Sequence, residues 1–154
     1  MRFVVVTGLS GAGKSTTLNY LEDAGYYCVD NMPVQLIAEF VKLLVENKEI
    51  ERAALGIDVR TGSGFDELES SLDAIRGMGI DYEILFLESD DGVLVKHYKE
   101  TRRIHPLAFG DRLEVGIERE RENYPTSKTC GSYNRYLADV DTRSQDRDRQ
   151  DICK

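Results

Sequence analysis

The sequence predicts an α/β fold, with a parallel sheet covered by helices on both faces. Short apolar runs alternate along the chain with longer segments whose apolar residues recur every three or four positions. This alternation is typical of parallel sheets, because each crossover helix returns the chain to the same edge. A glycine-rich turn, "GLSGAGKS" at 8–15, joins the first apolar run to the first helical segment.

The predicted strands and helices occupy the chain up to residue 122. The strands are 2–7, 26–30, 53–58 and 81–87, and the helices are 14–24, 33–47, 65–78, 90–98 and 110–122. Helical spacing is clear in the second helix, which carries Leu36, Phe40 and Leu43 on one face. Large aliphatic residues become scarce from Asn123 onward, so we expect 123–154 to be a divergent, disordered tail.

Composition indicates one globular domain and argues against a global attraction to nucleic acid or membrane, while a local basic patch is left open. The chain has 154 residues, of which 41% are hydrophobic and 31% charged, and its formal net charge is -8. An acidic chain is not attracted as a whole to nucleic acid or anionic lipid. Neither a membrane span nor a secretory leader is predicted. The three cysteines form no CxxC pair, which argues against a disulfide framework or zinc site and favours the cytoplasm; Cys28 is expected to be a small core residue.

The turn at Gly8–Ser15 fits the pattern G-x-x-x-x-G-K-[ST] and lies between a strand and a helix, as a P-loop must. Glycines at 8, 11 and 13 allow backbone angles that a side chain would forbid, so that successive N–H groups can form an anion nest. The helix that follows directs its positive dipole end at the bound phosphates. The predicted nucleotide-binding residues here are Gly8, Leu9, Ser10, Gly11, Ala12, Gly13, Lys14, Ser15 and Thr16.

Side chains of the P-loop have separate predicted roles. Lys14 should reach the β- and γ-phosphates, Ser15 should ligate Mg²⁺, and Thr16 should contact the α-phosphate. A second carboxylate should help to hold the metal. Asp58 ends the third strand and is the preferred candidate, with Asp30 at the end of the second strand as its competitor. A contact of Thr7 with the phosphates is left open.

Longer stretches of the chain resemble the RapZ-type RNase adapter family, also called the YvcJ-type nucleotide-binding proteins. They are "GLSGAGKSTTLNYLEDAGYYCVDNMP" at 8–33, "GIDVR" at 56–60 and "HYKETRRIHPL" at 97–107. Many nucleoside triphosphatases share the P-loop, whereas "EDAGYYCVDNMP" and "KETRRIHPL" are far more specific. The resemblance covers residues 1–122 and implies a kinase-like P-loop domain that binds ATP and GTP. Family members also carry a C-terminal domain, which in the RNase-adapter branch binds small regulatory RNAs and an RNase.

The resemblance also assigns residues. The P-loop matches the family's ATP site, and the segment Asp58, Val59, Arg60 and Thr61 matches the one assigned to GTP. Arg102 and Arg103 match a basic pair where kinase-like folds keep a lid over the phosphates, and arginine there can stabilise developing charge. Lys14, Asp58, Arg102 and Arg103 are therefore the catalytic candidates. We expect a structural role for His105 and core packing for Tyr26 and Tyr27.

After Glu122 the chain departs from the family, which continues with a strand of the type "ADLIIDTS". Here residues 130–137 read "CGSYNRYL", so the fifth strand is predicted to be missing. Degenerate codons for this stretch, read one base later, permit every residue of the family's strand. We therefore hypothesise that the tail is an out-of-frame reading of a longer gene, with a genuine divergent tail as the alternative. The nucleotide sequence across codons 120–138 distinguishes the two.

Three functions stay open at this point. The first is a regulatory ATP- and GTP-binding protein with weak Mg²⁺-dependent hydrolysis, without the RNA and RNase partners of its longer relatives. The second is a small-molecule kinase that uses Asp30 as base, and the third is a truncated, non-functional product. An open sheet edge would also allow a homo-oligomer. Hydrolysis without an acceptor favours the first function, and acceptor-dependent turnover favours the second.

Overall fold

The computed structural model describes residues 1–47, 49–59, 62–124 and 133–137, with the backbone alone at 62, 63 and 133–137. In chain order the elements are β1 (Arg2–Gly8), α1 (Lys14–Asp23), β2 (Tyr27–Val29), α2 (Ile37–Glu46), β3 (Arg52–Gly56), α3 (Gly62–Gly77), β4 (Tyr82–Glu88), α4 (Asp91–Thr101), α5 (Leu113–Asn123) and β5 (Tyr133–Leu137). A 3₁₀ turn, Val34–Leu36, precedes α2. In this part of the chain, no helix combines the length and apolarity needed to cross a bilayer.

The five strands form one parallel sheet in the order β2-β3-β1-β4-β5. The central strand β1 pairs with both β3 and β4, so that Val5 lies opposite Leu55 on one side and Ile84 on the other. All strands end at the same edge because they are parallel. The P-loop follows β1 at this edge, between the ends of β3 and β4, which is where parallel α/β sheets bind ligands.

Both faces of the sheet are buried, as the continuous apolar run in β1 predicts. Phe3 and Val5 pack on one face with α2 and α3, through residues such as Ile37 and Leu68. The opposite face, which includes Val4 and Val6, packs against α1, α4 and α5, through Leu18, Leu21, Leu94 and Ile117. Tyr26 is buried as predicted, whereas Tyr27 is 48% exposed and stacks on Phe40.

A fifth strand is present, contrary to our expectation that it is missing. The segment Tyr133–Leu137 pairs with β4, with Ile84 opposite Tyr133 and Glu88 opposite Leu137. The family's strand sequence is not needed for this pairing, because ladder hydrogen bonds come from the backbone, whose donors and acceptors are the same whatever the side chains. Tyrosines in "YNRYL" also favour a strand. The rest of the predicted tail, at 125–132 and 138–154, lies outside the described residues.

Cys28 lies in β2, half-buried, with its thiol directed at the Leu18 carbonyl oxygen 3.4 Å away. Burial, with a smaller contribution from the negative charge of Glu22, raises the pKa of this thiol to about 11. We therefore expect Cys28 to be alkylated far more slowly than a free thiol at pH 8, because only roughly one molecule in a thousand carries the reactive thiolate. Mass spectrometry of the peptide that contains Cys28 measures this rate. Equal rates in folded and urea-unfolded protein would contradict the expectation.

Candidate functional site

The P-loop glycines adopt backbone conformations that other residues rarely reach. Gly8, Gly11 and Gly13 have φ angles of 138°, 83° and 94°, respectively. A Cβ atom on Gly8 would lie only 2.0 Å from the carbonyl oxygen of Leu87 in β4. The loop therefore needs glycine at 8 both for its backbone angle and for its close approach to the neighbouring strand, as the sequence pattern predicts.

The first turn of α1 has no side-chain cap. Gly13 is the N-cap residue of this ten-residue helix, and it supplies no side-chain hydrogen bond to the first turn. Ser15 and Thr16, the next side chains after Lys14, are exposed. An uncapped N-terminus with its positive dipole end presents N–H groups that suit a phosphate. Leu9 and Ala12 are buried, so these two residues anchor the loop to the core and can offer a ligand only their backbones.

Lys14 folds back onto the loop. Its Nζ donates hydrogen bonds to the carbonyl oxygens of Gly8 at 2.8 Å and Leu9 at 3.1 Å, and lies 3.8 Å from Asp58 Oδ1. Asp58 follows β3 and is about as buried as the lysine, with side-chain exposures of 17% and 13%. The ammonium group is thus held at the mouth of the P-loop, and the contact with Asp58 keeps its charge there.

Asp30 rather than Asp58 contacts the predicted metal ligand. Ser15 Oγ donates a hydrogen bond to Asp30 Oδ2 at 2.6 Å, and Asp30 Oδ1 accepts one from the Asn31 backbone N–H at 2.7 Å. Gly56 in β3 makes room for this carboxylate, because a Cβ there would lie 2.6 Å from Asp30 Oδ1. A hydroxyl beside a carboxylate is a donor set that suits Mg²⁺, which uses one or two carboxylates together with substrate phosphates. The residues present therefore fit the metal.

The remaining predicted residues are Val59, Arg60, Thr61, Arg102 and Arg103. Val59 is buried in the core. Arg60 and Thr61 are among the residues that the structure does not describe. Arg102 and Arg103 follow α4 and are exposed, and Arg102 has the unusual φ of 51°. Within the described ranges, no hydrogen bond or ion pair joins either arginine to the P-loop, and their role as lid residues stays a prediction.

Glu120 and His105 are residues of the site that the sequence analysis missed or placed only as structural. Both Glu120 carboxylate oxygens accept the Ser10 backbone N–H at 3.1 Å, and Oε1 also accepts the Ser10 hydroxyl at 2.7 Å. His105 Nε2 lies 3.1 Å from Glu120 Oε2. Both side chains are almost fully buried. One signal was available: Leu113, Gly116, Ile117 and Glu120 share a helix face at 3–4 spacing, which puts the carboxylate on an apolar stripe.

Tyr124 braces the same loop from the end of α5. Its hydroxyl lies 2.8 Å from the Gly8 carbonyl oxygen and 3.2 Å from that of Val59. The ring makes edge contacts with Phe65 and Phe86, each at a centroid distance of 5.0 Å. The P-loop is therefore supported by residues just beyond the predicted boundary at 122, and no local pattern marks this tyrosine.

With the loop and its supports placed, comparison with known proteins gives the family. Residues 1–130 match the RapZ-like N-terminal domain. The chain belongs to this family. A nucleotide-binding protein of Agathobacter rectalis is 48% identical over 134 residues, which cover 86% of this chain and 46% of that protein. The chain thus spans about half the length of such relatives, and the resemblance that the sequence indicated is confirmed.

Solved structures of low sequence identity confirm the fold class. An unliganded sugar kinase from Janibacter sp. HTCC2649 has a TM-score of 0.60 at 14% identity, with 90% of this chain and 86% of that one covered. Shikimate kinase from Bacteroides thetaiotaomicron has a TM-score of 0.58 at 15% identity, with 92% and 89% covered. The chain therefore has a P-loop and a fold like that of these kinases.

Proposed function

We propose that this domain binds ATP and GTP at one shared P-loop site and hydrolyses them weakly with Mg²⁺. The observation that carries the proposal is the geometry of the P-loop. Its positive-φ glycines, the uncapped start of α1 and Lys14 lie together at the carboxyl edge of the sheet. Relatives of this chain are described as nucleotide-binding proteins, which supports the same proposal. One P-loop makes one shared site the simplest arrangement for both nucleotides.

Each polar group at the loop has a distinct task in this proposal. Lys14 Nζ exchanges its carbonyl partners for phosphate oxygens when a nucleotide enters. Ser15, with Asp30 beside it, would hold Mg²⁺, while Asp58 keeps the Lys14 ammonium at the mouth of the loop. Bound Mg²⁺ would supply charge neutralisation on the β- and γ-phosphates. The sequence-based alternative, in which Asp58 positions the metal, is retained as the competing assignment.

Weak rather than rapid hydrolysis fits the exposure of the predicted lid. Arg102 and Arg103 are both exposed, and closure of their segment would be needed before a guanidinium could reach a phosphate. Phosphate release from ATP and GTP, measured with Mg²⁺ and again with EDTA, tests the proposal directly. We expect slow, Mg²⁺-dependent release without any added acceptor. No release above a buffer blank would overturn the hydrolysis part of the proposal.

A small-molecule kinase is the second candidate, favoured by the place of Asp30. Its carboxylate lies beside Ser15 at the end of β2, where it could act as a base toward an acceptor hydroxyl. Turnover that rises with one added metabolite would support this function over the first. The RNA and RNase partners that the family resemblance implies are not part of this proposal. A cytoplasmic location and a homo-oligomer are also proposals.

Substitutions of Asp30 and Asp58 should differ in how their effect on nucleotide affinity depends on Mg²⁺. We expect Asp30→Asn to weaken binding of nucleotide with Mg²⁺ by about ten-fold, because a residue that orients a metal ligand is lost, and to change Mg²⁺-free binding little. Asp58→Asn should weaken both forms, because its partner is Lys14. Calorimetric titration with Mg²⁺ and with EDTA measures this. The reverse pattern would assign the metal to Asp58.

A further inference from the structure

We propose that Glu120 is a positioning residue for the phosphate loop, and that His105 ties the segment after α4 to the same loop. The proposal is based on a buried chain of hydrogen bonds, which runs from His105 through Glu120 to Ser10 in the P-loop. It rests on nucleotide binding at that loop. Glu120 is not expected to touch the nucleotide, and it would act through Ser10.

The contacts commit Ser10 to Glu120. The Ser10 backbone N–H lies 3.1 Å from both carboxylate oxygens, and the Ser10 hydroxyl donates to Oε1 at 2.7 Å. Ser10 is therefore fixed by its backbone and its side chain to a single group on α5. Because Ser10 lies between Gly8 and Gly11, fixing it limits the angles that these two flexible glycines can sample.

The hydrogen bonds of His105 and Glu120 indicate which of their atoms carry a proton. His105 Nδ1 accepts the Leu107 backbone N–H at 3.1 Å, so the ring proton lies on Nε2, which donates to Glu120 Oε2. Glu120 accepts in each of these contacts, which is the role of an ionised carboxylate. A fully satisfied buried network of this kind holds its members in one arrangement.

Packing shows that the network has a fixed shape. A Cβ on Gly116 of α5, one turn before Glu120, would lie 2.7 Å from His105 Nδ1 and 3.0 Å from the Ala108 nitrogen. The Tyr98 ring packs against His105 at a centroid distance of 5.1 Å, and it would lie 3.2 Å from a Cβ on Gly11. The P-loop thus rests on a wall built by α4, α5 and the turn between them.

Loss of the Glu120 charge should change nucleotide affinity in opposite directions, depending on whether Glu120 acts through its charge alone or positions the loop. A buried carboxylate beside an anion-binding loop repels phosphate, so removing its charge alone should tighten nucleotide binding. Positioning predicts weaker binding, because in Glu120→Gln the amide NH₂ must face either the Ser10 N–H or His105 Nε2–H, donor against donor. The direction of the change therefore distinguishes the two.

The test is calorimetric titration of ATP, with and without Mg²⁺, into the wild type and two variants. We expect Glu120→Gln to bind roughly ten-fold more weakly in both conditions, since a charge-assisted hydrogen bond is lost. Ser10→Ala, which loses only the hydroxyl contact and changes no charge, should bind about three-fold more weakly. The matched control is Glu118→Gln, on the exposed face of the same helix, which should match the wild type.

The measured ATP affinities either support or overturn the positioning role of Glu120. Weaker binding by folded Glu120→Gln, judged by an unchanged circular dichroism spectrum, supports positioning. Equal or tighter binding overturns it. If Glu120→Gln does not fold, Ser10→Ala decides, and wild-type affinity in that variant overturns the inference. A wild type that binds no ATP would instead refute the proposed function, whereas a wild type that binds while all variants match it refutes positioning alone.

Discussion

Replacing Lys14 with alanine is expected to weaken ATP and GTP binding by roughly thirty-fold to several thousand-fold, or about 2–5 kcal/mol. The ammonium group is the cation that the structure holds at the mouth of the P-loop, 2.8 Å from the Gly8 carbonyl oxygen. Backbone N–H groups of the loop can hydrogen-bond to phosphate, but they cannot replace a full positive charge in a half-buried site. Calorimetric titration of each nucleotide measures the loss.

Lys42→Ala is a matched control for this prediction. Lys42 lies on α2 and pairs with Glu39 on the surface, so its removal should leave nucleotide affinity unchanged. Wild-type affinity in Lys14→Ala, for both nucleotides, would show that they bind somewhere other than the P-loop.

A methyl group added at Gly8 should destabilise the fold by about 3–5 kcal/mol, through backbone strain and a steric clash together. The φ angle at Gly8 is 138°, and a Cβ there would lie 2.0 Å from the Leu87 carbonyl oxygen. This oxygen also accepts the Leu9 backbone N–H at 3.1 Å, so β4 cannot retreat without losing a hydrogen bond. Urea denaturation of Gly8→Ala against the wild type measures the free energy of unfolding.

Gly25→Ala separates the two causes. Gly25 also has a positive φ, 85°, but a Cβ there meets no atom within 4 Å. Its substitution should therefore cost only the strain of the left-handed conformation, about 1–2 kcal/mol. If the two variants were equally stable, the contact with Leu87 would not be what requires glycine at 8.

The sequence predicted the P-loop well because its requirements are local. The turn requires a positive φ at three positions, and a glycine occupies each of them: Gly8, Gly11 and Gly13. Strand and helix types were also predictable, since their periodicity is a property of neighbouring residues. Element ends differed by a few residues: the helix expected at 110–122 begins at Leu113, and the one expected from Pro33 begins as a 3₁₀ turn.

Side-chain partners across the sheet were not predictable in the same way. Asp30 and Asp58 both follow parallel strands that end at one edge, so spacing alone cannot decide which of them meets Ser15. Glu120 is 110 residues from Ser10, so although the apolar stripe of α5 indicates a buried carboxylate, no local pattern identifies Ser10 as its partner. The fifth strand was unexpected because its backbone pairs with β4 although its sequence differs from the family's.

The most direct measurement is competition between ATP and GTP for the wild-type protein. ATP is titrated with Mg²⁺ into the protein alone and into protein saturated with GTP, and the heat of binding is followed. A single shared P-loop site predicts one ATP per chain in the first titration and an apparent affinity that falls in proportion to the GTP concentration in the second. Undiminished ATP binding in the presence of saturating GTP would contradict a shared site.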